Sequence, residues 1–177
     1  MTMRKTVLTF GFISGAVSSV MMLLTLPFID TIGFDHGEIL GYTLIIASLL
    51  PVYFGIRSYR DNVAGGTVTF GRALLVGLLI SAISCLCYVI TWEFIYFKLA
   101  PDFGEKFSAY AIEKVRKSGG SPQAIAETTQ QMKMFKEMYD RPLVNAAITF
   151  LEPFPIGVVV SAISAMVLKK RSRIANG

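Results

Sequence analysis

Apolar residues along this chain gather into four long runs, residues 6–29, 39–56, 73–97 and 143–168, separated by stretches where charges, glycines and prolines concentrate. Each run is about 18 to 26 residues, enough at about 1.5 Å per residue to cross a hydrocarbon core of about 30 Å, the longer ones with tilt. Lipid offers no partners to free peptide groups, so the runs predict helices rather than strands. The expected fold is all-α: one polytopic membrane domain over residues 1–177 with four transmembrane helices. Arg4 and Lys5 resemble the start of a secretory signal. The apolar stretch behind them continues to Pro27 and Ile29, well past the about 7–15 residues of a signal's apolar region, and no small-residue cleavage site follows.

Between the third and fourth runs, residues 98–142 are too many for a bare loop and read as two helices. Over 102–117, Phe103, Phe107, Tyr110 and Ala111 recur at three- and four-residue steps, with Glu105, Lys106, Glu113 and Lys114 at other positions. Gly119 and Gly120 end that helix. Ser121 and Pro122 make an N-cap and first turn, and Ile125, Met132, Phe135 and Tyr139 mark an apolar side as far as Pro142. The segment predicts an amphipathic hairpin that acts as a lid or simply covers helix ends.

Composition agrees with a bilayer as solvent: 53% of residues are hydrophobic and 16% charged. The charges also orient the bundle. Arg4 and Lys5, then Arg57, Arg60 and Arg72, then Lys169, Lys170, Arg171 and Arg173 fall on one side, and connection 30–38 on the other side carries three acids and no Lys or Arg. Positive loops stay inside, so both termini are expected in the cytoplasm and the hairpin outside, in a cytoplasmic (inner) membrane. The hairpin segment itself holds eight basic residues, which runs against that rule. The net charge of +5 comes from clusters flanking helix ends, where lipid headgroups meet them, with no basic stripe interleaved with stacking aromatics. Nucleic acid is not an expected partner.

Small residues recur every four positions in three runs: Gly11, Gly15 and Ser19; Gly77, Ser81 and Cys85; Gly157, Ser161 and Ala165. Such stripes let helices approach closely in lipid. They serve packing inside the bundle or contact with a second copy or a partner membrane protein. Cys85 and Cys87 point to different sides of a helix and read as packing residues.

Two acids lie within the apolar runs. Glu152 is about 13 Å into the fourth if that helix is regular, and Pro153 and Pro155 follow it, freeing the carbonyls of Thr149 and Leu151. An ionisable group at that depth is a functional candidate by default. Asn145 and Thr149 are its expected companions, and the site is a structural polar clamp, a proton- or ion-handling group or a ligand contact. Glu93, beside Trp92 and Tyr96, reads as a carboxylate snorkelling to headgroup level, paired with Lys98. His36 is the one histidine, and nothing fixes the convergent ligands that a metal needs. No nucleophile-and-base pattern, metal pattern or cofactor motif occurs, so neither an enzyme nor a cofactor is expected. Gly65-Gly66 lacks the Lys-Ser or Lys-Thr of a phosphate loop and reads as a tight turn, with Asp61 balancing its arginine neighbours.

In order along the chain stand Gly55-Ile56-Arg57-Ser58-Tyr59-Arg60-Asp61, Gly65-Gly66 with Thr69-Phe70-Gly71, Pro101-Asp102-Phe103 and Glu152-Pro153-Phe154-Pro155-Ile156-Gly157. Together they resemble the bacterial membrane family known as domain of unknown function 4199, over most of the chain. The resemblance implies a small four-helix protein of the cytoplasmic membrane and carries no activity with it. The functional expectation is therefore an envelope module that binds lipid or a membrane partner, with proton- or ion-coupled transport as the alternative, Glu152 being the carrier and Glu93 standing near the outer entrance.

Overall fold

A computed structural model of the chain describes residues 2–170, the side chain of Asp30 excepted; Arg171 and Arg173 of the basic C-terminal cluster lie outside it. The described chain is helical throughout, apart from turns and one bridging pair, Val68 and Lys170. Four helical stretches are long and apolar enough to cross a membrane: Met3–Phe28, Thr31–Asn62, Phe70–Leu99 and Pro142–Leu168. Their outward faces carry exposed apolar side chains such as Phe12, Leu24, Ile90 and Val167, a surface that suits lipid rather than water. The protein is membrane-embedded.

Helix α1 (Met3–Thr25) starts at Thr2, whose hydroxyl accepts the Lys5 N–H, and gives way at Pro27 to a single tight turn, Leu26–Phe28. Helix α2 (Ile29–Ser48) follows at once, interrupted at Gly33, where φ is 71° and ψ 163°, a conformation that costs glycine nothing. The second crossing was expected over 39–56, after a polar loop. Instead the backbone is helical from Phe34 onward, because Asp35, His36 and Glu38 lower local hydropathy without breaking a helix. Pro51, in the first turn of α3 (Leu50–Asn62), then splits this crossing at Leu49. Ser14 Oγ on α1 donates to the Ser48 carbonyl at 2.6 Å, supplying a partner where the ladder is interrupted.

Gly65 and Gly66, at φ 66° and 84°, turn the chain into α4 (Phe70–Phe94), capped by Thr69. Helix α4 is the hub, with α1 against one side and α8 (Pro153–Leu168) against another. The reason lies in the small residues. A Cβ on Gly11 would come within 2.8 Å of Ile83 Cβ, and one on Gly15 within 2.6 Å of Cys87 Cβ. On the α8 side, Gly77 faces Ser161 Cβ and Gly157 faces Ser81 Cβ, each at 2.8 Å by the same construction. Hydroxyls reinforce the seams: Ser14 Oγ accepts from Ser84 Oγ at 2.8 Å, Ser19 shares a bond with Thr91 at 2.7 Å, and Ser81 shares one with Ser161 at 3.2 Å. Thus Gly11, Gly15, Ser19, Gly77, Ser81, Gly157 and Ser161 all pack within the bundle. Val52, Ile56, Val76, Ile80 and Ala165 fill its fully buried core.

At one end of the bundle, Val68 and Lys170 exchange two backbone hydrogen bonds of 3.0 Å, joining the end of α8 to the α3–α4 turn. Arg60 Nε sits 2.7 Å from Asp61 there, and Arg57 Nε 3.7 Å from the same carboxylate. Toward the opposite end, α4 widens into a π-helical turn, Ile95–Leu99, and leads into α5 (Phe103–Lys117) and α6 (Pro122–Tyr139). These two form the hairpin, turning at Gly119 (φ 80°) with Ser121 accepting the Ala124 N–H. Helix α7 (Pro142–Leu151) begins the last crossing, and Pro153 starts α8.

Candidate functional site

Glu152 occupies the joint between α7 and α8, where Pro153 and Pro155 lack the N–H groups that would continue the ladder. Its carboxylate is not packed away. It opens onto a cavity of about 650 Å³, roofed by the hairpin and walled by α2, by the second half of α4 and by α7. Tyr88, one turn before Trp92 on α4, donates its hydroxyl to Glu152 Oε2 at 3.4 Å. Glu38 of α2 lines the same cavity.

The remaining wall is largely aromatic. Phe34 of α2 meets Phe103, Phe107 and Tyr110 of α5 at ring separations of 5.6, 5.5 and 5.0 Å. Trp92 and Phe103 meet at right angles with ring centres 5.1 Å apart, and Tyr96 packs on Tyr139 at 5.2 Å. Edge-to-face pairs of this kind hold ring orientation as well as burying area.

Polar ties fasten the roof to the bundle. Trp92 Nε1 donates to the Tyr139 hydroxyl at 2.9 Å, and that hydroxyl shares a 3.1 Å bond with Thr149. Thr149 in turn donates to Asn145 Oδ1, and Asn145 Nδ2 to the Tyr139 carbonyl, both at 3.2 Å. Burial pushes the Tyr139 hydroxyl above its ordinary pKa, so it stays protonated and available as a donor. Asp140 accepts from Lys136 Nζ at 2.9 Å and from the Tyr96 hydroxyl at 2.7 Å. These contacts hold its carboxyl below the usual range and raise the Lys136 ammonium. Further along, Lys114 Nζ reaches Asp35 Oδ1 at 2.5 Å and stands 5.4 Å from the Tyr110 ring centroid, while the Tyr110 hydroxyl bonds the same carboxylate. Asp35 and Tyr110 together raise the Lys114 pKa.

The structure therefore divides the residues that the sequence grouped. Asn145 and Thr149 are buried and belong to the Tyr139 network, whereas Glu152 takes Tyr88 and the cavity. Glu93 is not part of the cavity wall; the residue is half-buried, and its Oε1 has no hydrogen-bond partner among the described residues. Sequence reasoning passed over Tyr88 and treated Glu38 as a loop acid. The spacing of Tyr88, Trp92 and Tyr96, four residues apart, was the available signal for one aromatic stripe on α4. Among the described residues there is no group of three or more His, Cys, Asp or Glu that could hold a metal.

Residues 9–170 match the model of a family described as Protein of unknown function (DUF4199). The chain belongs to that family. No curated protein and no solved structure matches it. The DUF4199 match takes in every residue that lines the cavity, from Met22 to Glu152, so the site is built from the family's own stretch of chain.

Proposed function

We propose that this DUF4199 protein is a membrane binding module, not an enzyme, and that a lipid-like amphiphile occupies the cavity under the hairpin. The observation that carries the reading is the cavity: about 650 Å³, within the range of small-molecule sites, with aromatic walls and a few polar groups at defined places. Its setting is the cytoplasmic membrane of a bacterium, with both termini inside and the hairpin outside. The basic residues Arg57, Arg60, Arg72, Lys169 and Lys170 near the Val68–Lys170 bridge support that orientation. The small-residue stripes are used up within the bundle, so a second copy or partner membrane protein would have to dock on the remaining apolar exterior.

Trp92 is the one tryptophan in the chain and lines the cavity, which makes its fluorescence a site-specific reporter. Gly41 also lines the cavity, and a Cβ there meets nothing within 4 Å, so Gly41→Phe should fill the space without disturbing the helices. In proteoliposomes, the glucoside of 12-bromododecanol should quench Trp92 saturably in the parent and only linearly in Gly41→Phe. Equal quenching in the two proteins would reject the cavity as a binding site.

The second reading, proton- or ion-coupled transport, is favoured by Glu152 opening onto the cavity. It requires a pH-dependent flux in proteoliposomes that Glu152→Gln abolishes. A parent protein without flux ends it.

A further inference from the structure

Resting on the reading of the cavity as an amphiphile site, we infer that its inner end selects a positively charged head: a hydrophobic amine or quaternary ammonium at Glu152 and Glu38, against the rings of Tyr88, Trp92 and Tyr42, which also lines the cavity.

Two carboxylate–tyrosine pairs stand at this cavity and beside it. Near the hairpin, Asp35 and Tyr110 receive an ammonium from the protein itself, with Lys114 Nζ on the carboxylate and over the ring. Carboxylate plus tyrosine is thus a combination that this fold already uses to hold a cation. At the inner end the same two side-chain types recur as Glu152 and Tyr88, with Glu38 on the same cavity wall, but among the described residues no lysine or arginine pairs with either glutamate. The two lysines that line the cavity are committed, Lys114 to Asp35 and Lys136 to Asp140. The aromatic edge is suited to the same guest, because the negative face of a ring attracts a cation and does so more strongly where water is scarce. Two carboxylates on one cavity wall repel each other, and a monovalent cation placed there relieves that repulsion while its apolar body lies along Phe34, Phe103 and Phe107. An anionic amphiphile gains none of this. It would bring a third negative charge to a low-dielectric site.

Three probes with a common brominated twelve-carbon tail separate the possibilities in proteoliposomes: the trimethylammonium, the glucoside and the carboxylate, compared at equal membrane-bound concentration through quenching of Trp92. The ammonium should half-saturate at about one tenth the concentration needed by the glucoside, the scale of a charge-assisted contact plus a cation–π contact. The carboxylate should be weakest. In Glu38→Gln/Glu152→Gln the tenfold preference for the ammonium over the glucoside should disappear. Saturable quenching that is equal for ammonium and glucoside, strongest for the carboxylate, or still selective in the double variant overturns the charge inference and leaves the cavity reading standing. No saturable quenching by any probe overturns both. Because the ranking of headgroups is measured on the parent protein, it decides the matter even if the double variant fails to reconstitute.

Discussion

The Trp92 indole N–H donates to the Tyr139 hydroxyl at 2.9 Å, and this one bond ties the end of the central helix to the hairpin that roofs the cavity. The same hydroxyl is shared with Thr149, so Tyr139 is the joint between α4, α6 and α7. Removing the oxygen in Tyr139→Phe leaves an indole donor and a buried threonine without that partner, at a cost of about 1–3 kcal/mol. The expected signs are a shift in Trp92 emission and faster proteolysis at the Gly119–Gly120 turn. If protease sensitivity stays at the parent level, the joint does not hold the roof down.

The second tie titrates. Asp140 is held below its ordinary 3.8 by Lys136 first and then by the Tyr96 hydroxyl. A depressed folded pKa means that the stabilisation is fully present above the ordinary value and disappears as pH falls through the folded one. The Lys136 ammonium, raised above its ordinary 10.5 by its hydrogen bond to Asp140, acts in the opposite sense, losing its contribution only as pH rises through the raised value. Hairpin docking followed by proteolysis with an acid-tolerant protease should therefore be flat near neutral pH and weaken below about pH 4. Asp140→Asn should be looser at neutral pH and should lose most of that acid dependence. An unchanged acid profile in the variant would assign the effect to other carboxylates.

The α4–α8 seam makes a steric prediction. Gly77 faces Ser161 Cβ and Ile56 Cδ1 at 2.8 and 2.9 Å from a Cβ that it lacks. Gly77→Val adds that carbon and two more against side chains fixed by the fold, so a loss of about 3 kcal/mol or more is expected. Gly71, near the start of the same helix, has nothing within 4 Å, and Gly71→Ala should be neutral or slightly stabilising. Thermal midpoints in mild detergent compare the two. Similar midpoints would mean that the helices are not in close contact at Gly77.

Much of this fold could be read in the chain because about twenty apolar residues in a row have few alternatives to a crossing helix. The second crossing was placed too short for a physical reason: hydropathy sees Asp35, His36 and Glu38, whereas the backbone sees only Gly33 as a break. At the site, Glu152 was legible because an acid followed by two prolines is conspicuous in an apolar run. Its companions were not. Residues 145, 149 and 152 share a stripe on an unbroken helix, yet Tyr139 reaches back to claim the first two, and that contact depends on how the hairpin folds over. Likewise, which way Tyr88 points follows from the rotation of α4. That rotation is set by close approach at Gly15 and Gly77, a property of helix pairs that one helix's sequence does not contain.

Glu93 is the residue whose environment is least favourable. Its Oε1 is buried without a hydrogen-bond partner among the described residues, and a buried oxygen in that state opposes folding by about 1–3 kcal/mol. Replacing it by methionine, of similar length and without the oxygens, removes the penalty and keeps the volume. Glu93→Met should therefore raise the thermal midpoint in detergent and in liposomes. Because Glu93 stands outside the cavity wall, quenching of Trp92 by the glucoside probe should be unchanged. A midpoint that drops instead would show that the carboxylate is satisfied in the membrane by water, an ion or a second chain. Measuring the drop in detergent and in lipid would tell these apart, since only a partner supplied by the bilayer assembly is lost on solubilisation.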